Sequence, residues 1–186
     1  MSAITGVTGK KIAFNQVEDM LEKIKHRGPE QPFVQELDDG GVAAGVIGLS
    51  DRSTPAITGS EKPIVLLDGD IYNDVPSGKT NVEYIRDLYM EEGNKCFKKL
   101  DGSFTCAIID KDETILVRDH VGSRPMIYQP QDGALFFSSE AKSFLPYVDT
   151  VDELPPGHYY STKEGLQQFE GFVPDLPDFK TPEEAA

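Results

Sequence analysis

Two carboxylates flanking a glycine, Asp68 and Asp70 around Gly69, are the side chains in this 186-residue sequence best spaced to act together. Neighbouring carboxylates can hold a cation, or share a proton when like-charge repulsion raises one pKa. A calcium loop does not fit, because Tyr72 occupies the next position that must supply oxygen and no glycine follows on schedule. Other reactive side chains are few. His26, His120 and His158 lack the paired spacing of a zinc site. Arg118 and Asp119 are adjacent and have the form of an acid–base pair, although a structural ion pair is the stronger reading. Ser2 places a hydroxyl at the start of the sequence.

Cys96 and Cys106 also lack metal-type spacing and read as buried thiols, which points to a reducing, cytoplasmic setting. The 32 acidic residues outnumber the 18 basic ones for a net charge of −14. Such a surface repels phosphate backbones and anionic lipid, so neither nucleic acid nor membrane is an expected partner. No apolar run approaches the length of a membrane span, and Met1 to Ile12 does not read as a signal peptide.

The elements that must position these groups are read from periodicity. Val17, Met20, Leu21 and Ile24 recur at helical spacing over Gln16 to Lys25, with Asn15 as the expected cap. Thr80 and Glu83 form a capping box, and Val82, Ile85 and Tyr89 supply the apolar stripe of a second helix ending at Gly93. Ser139 to Tyr147 reads as a short third helix. Strands are expected at Val42–Ile47, Ile64–Leu67, Phe104–Ile109, Thr114–Val117, Met126–Gln129, Ala134–Ser138, His158–Ser161 and Leu166–Phe169, joined by turn-forming residues. The pattern is that of an antiparallel-rich α+β domain over residues 1–172, with a Pro-rich acidic tail over 173–186.

Seven motifs in order sharpen this outline. They are Met1-Ser2-Ala3-Ile4-Thr5-Gly6-Val7, His26-Arg27-Gly28-Pro29-Glu30, Leu67-Asp68-Gly69-Asp70-Ile71-Tyr72-Asn73 and Leu100-Asp101-Gly102-Ser103-Phe104. Arg118 to Tyr128, Phe136 to Lys142 and Leu154 to Tyr159 complete the set. Together they resemble the glutaminase domain of asparagine synthetase, a class II (type 2) glutamine amidotransferase of the N-terminal nucleophile (Ntn) hydrolases. The resemblance implies a four-layer αββα sandwich. It also implies that residue 2, once Met1 is removed, is the nucleophile, with its α-amine as base and no cofactor.

Residue by residue, this implied site departs from the family pattern. The nucleophile position holds Ser2 in place of cysteine. The oxyanion-hole positions are Asp68 and Gly69, and Asp68 stands where an asparagine donates. Gly48 and Leu49 mark the place where an arginine grips the substrate carboxylate, and the nearest arginine is Arg52. Asn81 replaces the aspartate that pairs with the substrate ammonium, and Asp70 replaces a glutamate. Gly48, Asn81, Asp70 and Asp68 sum to −2, a pocket that disfavours an amino-acid carboxylate and tolerates a cationic or neutral small molecule.

The expectation is therefore a stand-alone pseudoenzyme with a binding or regulatory role. The rival is an active Ntn amidohydrolase that uses Ser2 to release ammonia for a separate synthetase partner. In asparagine synthetase an ATP-using domain follows, and no counterpart of its pyrophosphate loop is expected here.

Overall fold

The computed structural model describes residues 2–9, 14–28, 33–37, 42–47, 57–58 and 61–169. The expected tail, and the places of Gly48, Leu49 and Arg52, lie outside the described residues. In chain order the elements are β1 (Ala3–Thr8), α1 (Phe14–Lys23), β2 (Phe33–Leu37), β3 (Val42–Ile47), β4 (Ile64–Ile71) and α2 (Asn81–Glu92). They continue with β5 (Gly102–Ile109), β6 (Thr114–Arg118), β7 (Ile127–Gln131), β8 (Ala134–Ser138), β9 (Asp152–Glu153), β10 (His158–Ser161) and β11 (Gly165–Gln168). Short 3-10 turns cover Lys25–Arg27, Gly93–Lys99, Ala141–Ser143 and Leu145–Tyr147.

The strands form two antiparallel sheets, ordered β2-β3-β1-β8-β7-β9 and β11-β10-β6-β5-β4. Alternation along each strand sends successive side chains to opposite faces, and three apolar layers result. Ile4, Leu66, Ala107, Leu116, Leu135 and Phe137 pack between the sheets. Ala3 and Val7, on the other face of β1, meet Val17, Met20 and Leu21 of α1. Val65, Leu67, Cys106 and Val117 meet Val82 and Ile85 of α2, with Phe97 beside them. The order is helix, sheet, sheet, helix: the four-layer α+β sandwich.

Helix α2 begins at the expected capping box, in which Thr80 accepts from the Glu83 amide at 3.3 Å and donates its own amide to Glu83 at 2.8 Å. Helix α1 differs. It starts at Phe14, which places Asn15 inside the helix and not at its cap. The expected third helix is also absent as a continuous element. Pro146 lacks an amide donor, and Ser139–Tyr147 resolves into the 3-10 turns Ala141–Ser143 and Leu145–Tyr147. Strand β4 runs four residues beyond the expected Leu67, and that extension carries Asp68, Gly69 and Asp70.

Candidate functional site

The site forms where β1, β4 and the end of β8 meet at one edge of the inner layer. Asp68 follows Leu66 on the inner face of β4, and its side chain is wholly buried. Ser2 precedes β1, in alternation with the inward-facing Ile4, and its hydroxyl donates to Asp68 Oδ1 at 2.6 Å. Ser139, just past β8, donates from Oγ to Asp68 Oδ2 at 2.9 Å. The Ile4 amide donates to Ser139 Oγ at 3.1 Å, and the Ser139 amide donates to the Ile4 carbonyl at 2.9 Å. One carboxylate thus joins both sheets.

Two arginines balance its charge. Arg27 Nη2 lies 3.4 Å from Asp68 Oδ2, and Arg124 Nη1 lies 3.6 Å from Oδ1. Arg27 also donates from Nε to the Ser2 carbonyl at 3.0 Å, which fixes the segment bearing the hydroxyl. Its Nη1 reaches Glu140 at 3.2 Å, at the rim of the site. His26 and Lys142 reach the same Glu140 at 2.9 and 3.1 Å. Partial burial works against the charge on Glu140, but hydrogen bonds from Lys142, Arg27 and His26 outweigh it and hold the carboxyl below its ordinary value.

Arg124 is presented by a loop that the adjacent Arg118 and Asp119 organise. These two residues engage different partners and do not form the expected mutual ion pair. Arg118 donates to the carbonyls of Arg124 at 2.7 Å, Leu154 at 2.6 Å and Gly122 at 3.0 Å, and pairs with Glu153 at 2.8 Å. Asp119 accepts from the amides of Phe104 and Val121 at 3.1 and 3.0 Å and from the Ser123 hydroxyl at 2.5 Å. Gly122 completes the turn at φ +69°, where a Cβ would meet the Pro156 ring at 2.6 Å.

Of the other expected site residues, Gly69 follows Asp68 directly. Its φ is +122°, and a Cβ there would lie 2.0 Å from the Ser103 carbonyl oxygen, so only glycine fits. Asp70 shares the face of Asp68 two residues on and is half-buried. Asn81 opens α2 on the outer side of the sheet, and no hydrogen bond joins it to Ser2 or Asp68 among the described residues. Gly48 and Leu49 lie outside the described residues. Arg124 and Ser139 are site residues that the sequence did not single out, and they alter the charge count. The two guanidinium groups beside Asp68 were not included in the sum of −2.

The remaining candidates have structural partners. His158 Nδ1 lies 2.7 Å from the Pro156 carbonyl, and His120 packs edge-on against Phe169 with centroids 5.0 Å apart. Both thiols are buried, which raises Cys96 to about 12 and Cys106 higher still. No group of three or more metal-ligating side chains occurs among the described residues, and none of the helices there is long and apolar enough to cross a membrane.

Chemically, the arrangement supplies a hydroxyl, an acceptor-only carboxylate and two cations. A carboxylate cannot donate to a developing oxyanion, as an asparagine amide does. It can hold the Ser2 hydroxyl in place, or take its proton.

Comparison with known proteins agrees with this fold. Asparagine synthetase (glutamine-hydrolyzing) of Sandersonia aurantiaca is 29% identical over 166 residues, covering 81% of this chain and 32% of that protein. Asparagine synthetase 2 (glutamine-hydrolyzing) of Oryza sativa subsp. japonica is 28% identical over 180 residues, covering 88% and 30%. The chain therefore spans about a third of the length of these curated relatives. Among solved structures, glutamine phosphoribosylpyrophosphate amidotransferase from B. subtilis superposes with a TM-score of 0.69 at 17% identity, over 89% of this chain and 48% of that one. The family model described as a glutamine amidotransferase domain matches residues 1–164, and the chain belongs to that family.

Proposed function

We propose that this glutamine amidotransferase-like domain does not hydrolyse glutamine and serves a binding or regulatory role. One observation carries the reading: the residue at the oxyanion-hole position, Asp68, is a buried carboxylate that accepts from Ser2, Ser139 and Arg27. Loss of one oxyanion donor typically costs about 10²- to 10³-fold in rate, and a negative charge in its place adds repulsion. The replacement of cysteine by Ser2, and of the ammonium-binding aspartate by Asn81, supports the same conclusion. The former glutamine pocket would then hold another small molecule. The relatives carry the domain within glutamine-hydrolysing asparagine synthetases, so a synthetase, separate or joined, is the proposed partner. A reducing cytoplasmic setting is consistent with two buried, unpaired thiols.

One observation favours a second reading. The Ser2 hydroxyl points at a carboxylate 2.6 Å away, which is also how a base receives a nucleophile's proton. In that case Ser2 would be the nucleophile of an active amidohydrolase. Ammonia release from glutamine, compared among the parent with Met1 removed, Ser2→Ala and Ser2→Cys, separates the two. The proposed reading expects parent and Ser2→Ala to be equally inactive. Release by the parent that disappears in Ser2→Ala establishes the second.

A further inference from the structure

The inner face of β5 carries a hydroxyl that the site has not yet accounted for. Thr105 stands directly opposite Asp68 in the β4–β5 ladder, and both side chains point between the sheets with Leu66 and Ala107. The Thr105 side chain is 0% exposed, and its Oγ1 has no hydrogen-bond partner among the described residues. Directly opposed residues of an antiparallel pair have Cβ atoms about 4.5–5.5 Å apart, so a molecule on Asp68 is within reach of Thr105. A buried hydroxyl left unpaired costs free energy, and threonine has no packing advantage over valine to offset it.

Asp68 has room for one more donor. A carboxylate offers about four lone-pair positions. The hydroxyls of Ser2 and Ser139 and the Arg27 guanidinium, at 2.6, 2.9 and 3.4 Å, fill three of them. Arg124, at 3.6 Å from Oδ1, balances charge without closing a hydrogen bond. We propose that Thr105 and Asp68 Oδ1 together hold one internal, neutral, water-sized ligand, a water molecule in the simplest case. It donates to the carboxylate and pairs with the Thr105 hydroxyl. A small cation is opposed by the two guanidinium groups, and an anion by Asp68 itself. Two polar partners are the minimum that retains a buried water. This inference rests on strand register and not on the reading of the reaction, so either can fail without the other.

The test is a crystal structure of the full chain at a resolution that shows ordered water, with thermal melts of the parent and Thr105→Val. Valine keeps the shape and removes only the hydroxyl. The expected result is a peak within hydrogen-bond distance of both Thr105 Oγ1 and Asp68 Oδ1, lost in the variant, and a melting temperature lower by about 2–4 °C. A Thr105 hydroxyl bonded directly to a protein atom, or a variant that melts at or above the parent, overturns the proposal.

Discussion

The inner layer of the sandwich ends differently at its two edges. At the β1 start, Ser2 and Ser139 each donate to Asp68, and two arginines balance the charge. At the β1 end, at Thr8, six residues on from Ser2, the described residues join the sheets through one buried hydroxyl pair, Thr114 Oγ1 donating to Thr8 Oγ1 at 2.9 Å. Beyond that pair the sheets part around an open cleft of about 640 Å³, rimmed by Asp110, Asp132, Lys111 and Tyr160. One edge is closed by charge and the other is left open. The difference shows where the fold depends on ionised side chains. At the closed edge Ser2, Asp68 and Ser139 hydrogen-bond from one sheet to the other.

Substitutions at matched positions measure that difference. The largest effect is expected for Asp68→Ala, which leaves Arg27 and Arg124 without the carboxylate they share and Ser139 without its acceptor. Removing one member of a buried charged set costs about 3–5 kcal/mol, readable as a shift in urea denaturation. Next is Ser139→Ala. Its hydroxyl bonds a charged group, so a loss of about 1.5–3 kcal/mol is expected in the same experiment. At the open edge Thr114→Val breaks only the neutral Thr8 contact and is expected to cost about 1 kcal/mol. If Thr114→Val proves as costly as Ser139→Ala, the two edges do not differ in kind.

The smallest effect is one of pH. Glu140 at the closed edge titrates below its ordinary 4.5, because its bonds to Lys142, Arg27 and His26 outweigh the opposing effect of burial. A carboxyl lowered by folding contributes stability that is complete above its unfolded pKa and is lost as pH falls through the folded one. Glu140→Gln should therefore flatten the acid limb of the melting-temperature profile below about pH 4.5 and leave pH 7 to 8 nearly parallel to the parent. A uniform offset at all pH values would mean that Glu140 acts through packing alone.

Much of the scaffold was legible because its strands carry β-branched or aromatic residues and are bounded by turn residues. Val42–Ile47, Ala134–Ser138 and His158–Ser161 occur with the limits read from sequence. The capping box at Thr80 was legible for the same local reason. Strand β1 was not singled out as a strand. Its alternation of Ile4, Gly6 and Thr8 with Ala3, Thr5 and Val7 gives no polar face, since the whole strand is buried. Ser139–Tyr147 misled because apolar spacing suggests a helix while Pro146 prevents one. Ser139 lies 71 residues from Asp68, and Arg124 reaches it from a loop, so nothing local in either segment announces the contact. The altered residues at 2, 68 and 81 could be read directly, but not how Asp68 would be neutralised.

The central claim is that Asp68 ties up the Ser2 hydroxyl and leaves a developing oxyanion without the side-chain donor of that position. Its most direct test is intact-mass analysis of the protein, with Met1 removed, after incubation with glutamine and rapid acid quench. The account expects the unmodified mass at every time point. A species heavier by one glutamyl group, mapped to Ser2 and absent from Ser2→Ala, would contradict it.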